Sequence, residues 1–166
     1  MGCYYNGEKM ELQQHGIYIV KDEFFKRFYD ATWIYNKNES RPFYYSFPDT
    51  DGIYWLIPMT SKVEKIKGKI KRFEDKFGAG NCVYYEVGVV NGKEAGFKIS
   101  DIFPITEEYI EREYKFKGRH VVIETKSLNE SLERKAKTYL NMVKRGSIRT
   151  GKDVFSLRAM LRNGKE

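Results

Sequence analysis

Apolar residues in the first half of the chain cluster at strand length rather than at helical spacing. Gly16–Lys21 (GIYIVK) alternates, Phe43–Phe47 (FYYSF) is aromatic, and Ile53–Ile57 (IYWLI) is apolar on both faces. Short runs of β-branched and aromatic residues bounded by turn residues predict strands. Pro48-Asp49-Thr50-Asp51-Gly52 supplies the turn between the last two, which therefore form a hairpin. Asn91-Gly92 joins Cys82–Val90 to Ala95–Ile99 in a second hairpin, because both turn residues tolerate positive φ. Ile102–Ile105 and His120–Glu124 are further strand-like pieces.

Helical spacing and capping signals punctuate these strands. Asp22 is placed to cap a short helix through Tyr29, and Thr106, followed by Glu107 and Glu108, to cap another. Ser61-Lys62-Val63-Glu64 has the capping-box pattern and opens a helix to about Phe77, which Gly78 ends. Ser127-Leu128-Asn129-Glu130 repeats that pattern before a helix to about Arg145, with Leu132, Ala136, Leu140 and Val143 on one face. Gly146 stops it, and Asp153 starts a last helix, Val154–Arg162, facing inward through Val154, Leu157 and Leu161. With no repeat, low-complexity tract or linker, residues 1–166 predict one α+β domain: a small curved antiparallel sheet or barrel decorated with helices. Its core spans about 16–145, and 146–166 form a basic C-terminal segment.

Charge and composition narrow the function. The 166 residues carry a formal net charge of +7 and are 16% aromatic, the combination that grips phosphates and stacks bases. Between Arg134 and Glu166 ten Lys/Arg face only Asp153 and Glu166, while Lys62–Lys76 carries seven bases against three acids. Two basic helices on a near-neutral body point to a nucleic-acid partner. Cys3 and Cys82 form no CxxC and have no histidine near them, so neither a disulfide framework nor a metal site follows, and no cofactor is expected. No apolar run is long enough to span a membrane, and the first residues lack the regions of a secretory leader, so the cytoplasm is the expected compartment.

No Walker loop, GxSxG, HExxH or GxGxxG occurs. The candidate chemistry is Pro58-Met59-Thr60-Ser61-Lys62, where an apolar strand runs into a capped helix. A helix N-terminus attracts phosphate, Thr60 and Ser61 add hydroxyls, and Lys62 adds a cation. The simpler alternative is that Ser61 only caps its helix. Hairpin geometry brings Arg41 to the same end as Ser61, where its planar guanidinium would clamp a phosphate. His120 is a candidate proton donor or acceptor, and with His15 it admits a His-pair ribonuclease. RNA contacts are expected from Lys65, Lys69, Lys71 and Arg72 on one basic helix and from Lys137, Lys144 and Arg145 on the other.

Ile17–Asp22 (IYIVKD), Asn36–Phe47 (NKNESRPFYYSF), Ile53–Lys65 (IYWLIPMTSKVEK) and Ile102–Arg112 (IFPITEEYIER) together resemble the CptN branch of the ToxN family of type III toxins. The resemblance spans roughly Gly16 to Arg145. It implies a MazF/PemK-like fold and metal-independent RNA cleavage that leaves a 2′,3′-cyclic phosphate. It further implies an endoribonuclease toxin that cuts mRNA, inhibited by a pseudoknot antitoxin RNA that the toxin itself cuts from a precursor. A closed protein–RNA hetero-oligomer and no membrane partner are expected. Carried over by position, the family's Thr-Ser pair falls on Thr60 and Ser61 and its preceding basic residue on Arg41. A family lysine falls on Val63, so Lys62 or Lys65 must supply that charge, and an RNA-contacting aromatic position is Lys37 here. The runner-up is a non-catalytic RNA-binding module of barrel type; a DNA-binding adaptor ranks last.

Overall fold

Ile53–Thr60 must be covered on both faces, and the architecture follows from how that is done. The computed structural model describes residues 11–28, 36 and 39–164, together with the backbone of 4–5 and 8–9. The strands are β1 (Tyr4–Tyr5), β2 (Glu8–Lys9), β3 (Ile17–Val20), β4 (Phe43–Pro48), β5 (Ile53–Thr60), β6 (Tyr85–Val90), β7 (Lys93–Lys98), β8 (Phe103–Thr106), β9 (Ile110–Glu113), β10 (Lys115–Phe116) and β11 (Arg119–His120). The helices are α1 (Asp22–Arg27), α2 (Val63–Phe77), α3 (Lys126–Lys144) and α4 (Val154–Asn163). The fold is α+β, built on a seven-stranded antiparallel sheet ordered β6-β7-β5-β4-β3-β9, with β8 beside β5. β6 and β9 are its outer strands, and they do not pair with each other among the described residues.

β5 gives one edge to β4 and divides the other. β8 pairs with Ile53–Leu56, and β7 pairs with Met59 and Thr60. Pro58 falls at the changeover. The Met59 N–H donates to the Pro42 carbonyl at 3.1 Å, so position 58 points to the edge where no partner waits, and its missing N–H costs no ladder bond.

Alternation along the strands sorts the core into two layers. Phe43, Tyr45, Leu56 and Phe103 pack with Phe24 of α1 and Leu157 and Leu161 of α4. Tyr44, Trp55, Ile57 and Phe97 turn the other way, onto Leu132, Ala136 and Leu140 of α3. A sheet covered on both faces is why IYWLI carries no polar alternation.

Several local signals hold. Asn91 and Gly92 have φ of 53° and 75°, as the two-residue turn requires, and Gly146 (φ 69°) ends α3. The Asp153 carboxylate accepts the Ser156 N–H at 3.1 Å and caps α4. Others are displaced. Lys21 occupies the cap position of α1, and Asp22 is its first helical residue; Tyr29 lies outside the described residues. α3 begins at Lys126, so Ser127 lies inside the helix and caps nothing. Thr106 precedes only a 3₁₀ turn, Glu107–Tyr109, and its hydroxyl donates to Glu108 instead. Of the strand expected at His120–Glu124, His120 pairs in β11, and Val122 makes an isolated bridge to Gly16. Cys82 is a buried free thiol, and no described helix is long and apolar enough to cross a membrane.

α4 is latched to the β4–β5 turn. Arg158 donates to both carboxylate oxygens of Asp49, at 2.6 and 2.9 Å, and Asp49 also accepts from Trp55 Nε1 at 2.9 Å and Thr50 N at 2.6 Å. The Arg158 guanidinium, helped by Trp55 and Thr50, holds the Asp49 carboxyl well below the usual carboxylate range, although burial pushes the other way. A depressed folded-state pKa gives stability that is present above the unfolded value, about 3.9, and lost as pH falls below it. Asp49→Asn should therefore cost about 1.5–3 kcal/mol at neutral pH. The gap from wild type should narrow steadily as pH falls below about 4 in urea titrations. A gap independent of pH would mean that the Asp49 charge does not hold α4.

Candidate functional site

The β4–β5 register sets Phe43 opposite Pro58, which brings Arg41 level with Thr60 at the end of the hairpin. Thr60 lies opposite Gly96 of β7. A Cβ at Gly96 would sit 2.9 Å from Ile66 Cγ1 and 3.0 Å from Thr60 Cγ2, so the absent side chain is what lets α2 lie this close to the sheet. Buried Val63 and Ile66 anchor the helix there.

Between these elements is a cleft of about 200 Å³. Its floor is Met59, Thr60 and Ile66, and its walls carry Arg41, Lys62, Lys65, Lys69 and Lys98. No carboxylate or imidazole is among the described residues that line it. Arg41 is 7% exposed, donates from Nε to the Met59 carbonyl at 3.3 Å, and lies 6.0 Å from the Phe43 ring centre. Burial pulls its pKa down, and the Asp101 carboxylate opposes that pull. Lys69 Nζ stands 5.1 Å from the Tyr85 ring centre. Behind the cleft, buried Asp101 takes Lys98 at 3.3 Å and pairs with Lys152, which also donates to the Ser100 carbonyl at 3.0 Å.

The start of α2 departs from the capping box. Lys62 is the cap residue, and the Thr60 hydroxyl, not Ser61, accepts its N–H at 3.1 Å. Glu64 reaches forward to Lys67 at 3.6 Å rather than back to the cap. Ser61 is exposed, and its hydroxyl makes no hydrogen bond among the described residues. The Lys62 and Val63 amides are turned to Thr60 Oγ1 and the Ser61 carbonyl, leaving the next amides of the helix to face a ligand.

Thus Arg41, Thr60, Lys62, Lys65 and Lys69 come together, with Ser61 at the rim. The other expected residues do not join them. Lys71 pairs with Asp75 at 2.6 Å, Arg72 is exposed outside the cleft, and Lys37 lies outside the described residues. Lys137 pairs with Glu133 at 2.9 Å and stands over the Phe47 ring, while Lys144 and Arg145 are exposed at the end of α3. His120 is held elsewhere: its Nε2 is 3.0 Å from the Ile17 carbonyl, its Nδ1 2.9 Å from Glu113, and its ring lies on Tyr18. His15 stacks on Tyr44, and burial lowers its pKa more than Glu133 raises it. Lys98 and Asp101 were not anticipated; only the β5–β7 pairing, a contact distant in sequence, carries Lys98 to the cleft.

No family model and no curated protein matches this chain.

Function must therefore be read from the cleft. Five cations around a space of about 200 Å³ would attract a phosphodiester through their summed charge. Lys69→Glu should weaken binding of a single-stranded oligoribonucleotide on the order of tenfold. It should also flatten the slope of log affinity against log salt by about 0.7 per lost phosphate contact. Lys71→Glu, two residues on and already paired with Asp75, should change both far less. Equal effects in filter binding across a salt series would place the RNA outside this cleft.

Proposed function

We propose that the protein is an endoribonuclease toxin of the type III toxin–antitoxin kind. The observation that carries the reading is the convergence of Arg41, Lys62, Lys65, Lys69 and Lys98 on one small cleft beside the uncommitted Ser61 hydroxyl. RNA contains its own nucleophile. The 2′-oxygen attacks the adjacent phosphorus, the bond to the 5′-oxygen breaks, and a 2′,3′-cyclic phosphate remains. The cleft's cations would stabilise the charge that gathers on the phosphoryl oxygens. Ser61 would pass the 2′-hydroxyl proton to solvent water, and the leaving 5′-oxygen would take one from solvent or a lysine ammonium. The division of β5 between β8 and β7 is compatible with the MazF/PemK-like barrel that the resemblance implies. Target mRNA and a pseudoknot antitoxin RNA are the partners in this reading, within the cytoplasm and in a closed protein–RNA assembly.

One observation favours the runner-up, a non-catalytic RNA-binding module. The cleft offers no carboxylate or imidazole, and both nitrogens of His120 face acceptors away from it. The two readings separate in a single assay. RNA-free protein incubated with mRNA in EDTA should give fragments ending in 2′,3′-cyclic phosphate. Lys62→Ala and Ser61→Ala, both at exposed positions, should each lower the rate on the order of 10²-fold while the thermal midpoint holds. Tight RNA binding without fragments would select the binding module. Products bearing a 5′-phosphate would overturn the cyclising mechanism.

A further inference from the structure

After β9 the chain leaves the sheet as a two-stranded hairpin, β10 and β11, in which Lys115 faces His120 and Phe116 faces Arg119. Lys117 and Gly118 form its turn, with φ of 50° and 78°. Two central residues with positive φ make the tight turn that suits the twist of a β-hairpin, and Asn or Gly fills the first position most easily. A lysine there accepts a conformational cost that Asn would avoid. The lysine is not idle: its Nζ stands 5.4 Å from the centre of the Phe116 ring. Phe116 is 47% exposed, one of four large apolar side chains left in solvent among the described residues. Residues 115–119 are all exposed and include no acid, and the nearest preceding acid, Glu113, is engaged with His120.

We propose that this hairpin tip is a second RNA contact, in which Phe116 stacks on an unpaired base while Lys117 and Arg119 take the flanking phosphates; the proposal rests on the RNA-binding reading above. An aromatic face framed by cations is the minimal platform for one single-stranded nucleotide, since every base offers a π-face to stack. A duplex offers no such face. A membrane surface would ask for a broader apolar face than one ring provides.

Position gives the contact its use. β9 begins with Ile110 beside Val20 and runs to Glu113 beside Tyr18, and Tyr18 lies opposite Phe43. The strand therefore starts level with the cleft end of the sheet and leads away from it. Six residues at about 3.3 Å each put the tip on the order of 20 Å from the cleft. One RNA strand held at both places gains affinity through effective concentration, and a fragment too short to span them does not.

The test compares two single-stranded 2′-O-methyl RNA probes, a trinucleotide and a 12-mer, which the enzyme cannot cyclise. Phe116→Ala should weaken the 12-mer on the order of tenfold and leave the trinucleotide unchanged. Phe116→Trp should restore it. Lys117→Asn, which keeps the turn, should lower the 12-mer's salt slope by about 0.7. Unchanged 12-mer affinity in Phe116→Ala, with binding still lost in Lys62→Ala, overturns the hairpin contact and leaves the cleft's function standing. Equal losses on both probes also overturn it. If the wild type binds neither probe, both the hairpin contact and the RNA reading fall. Sedimentation with phosphatidylserine vesicles that depends on Phe116, at unchanged RNA affinity, would assign the tip to a membrane instead.

Discussion

Everything in this molecule is arranged around the need to cover β5 on two faces and two edges at once. A strand apolar on both sides cannot lie at a sheet surface, so helices must pack on each layer: α1 and α4 on one, α3 on the other. Its second edge is longer than either partner, so β8 covers the beginning and β7 the end. The changeover at Pro58 lets β7 part from β8, and α2 settles over the opening because Gly96 has no side chain to keep it off. The cleft is the space this arrangement leaves between the β4 entrance, the β5 end, β7 and α2. It is a consequence of strand pairing, and its lysines come from elements far apart in the chain.

The same pairing changes the meaning of the chain's charge. A segment with ten bases and two acids suggests a broad cationic surface. Much of it is spent internally. Arg158 and Arg162 bind Asp49 and Asp51 in the β4–β5 turn, Lys152 binds Asp101, and Lys135 reaches Glu86 at 2.7 Å with both side chains largely covered. The C-terminal segment therefore works first as a strap over the body. Of the bases left exposed, Lys62 and Lys65 stand at the cleft and Lys117 and Arg119 at the hairpin tip. Net charge sets a long-range field, and only the fold decides where a phosphate meets it.

The sequence was most legible where a local signal has one structural solution. Asn91-Gly92 can hardly be anything but a tight turn, Asp153 caps the helix it precedes, and the 3.6-residue spacing of Leu132, Ala136 and Leu140 picks out the buried face of α3. It was less legible where two local solutions compete. Thr60 and Ser61 both stand before α2, and the strand extends far enough that Thr60 takes the cap, releasing the serine hydroxyl. The juxtaposition of Arg41 with Thr60 could be read because a hairpin of equal arms returns the chain to its start. Lys98 could not, because β7 returns to β5 after more than thirty residues of helix and hairpin. His120 misled for a similar reason: its surroundings, Tyr18 and Glu113, come from strands whose pairing local pattern does not reveal.

The charges of the cleft bear on how it is held. Five cations line one space of about 200 Å³, close enough to feel one another within a Debye length of about 8–10 Å. Asp101 offers partial relief. It is buried behind the wall, holds Lys98 directly, and opposes the effect of burial on Arg41. That one carboxylate serves Lys98, Lys152 and the field at Arg41 together. A polyanion seated in the cleft would stabilise the folded state by mass action. Lys152 ties the C-terminal strap to the same Asp101, so the carboxylate that tempers the cleft also helps to fasten the fold. Asp101 is thus a shared partner of the cleft wall and of the C-terminal segment.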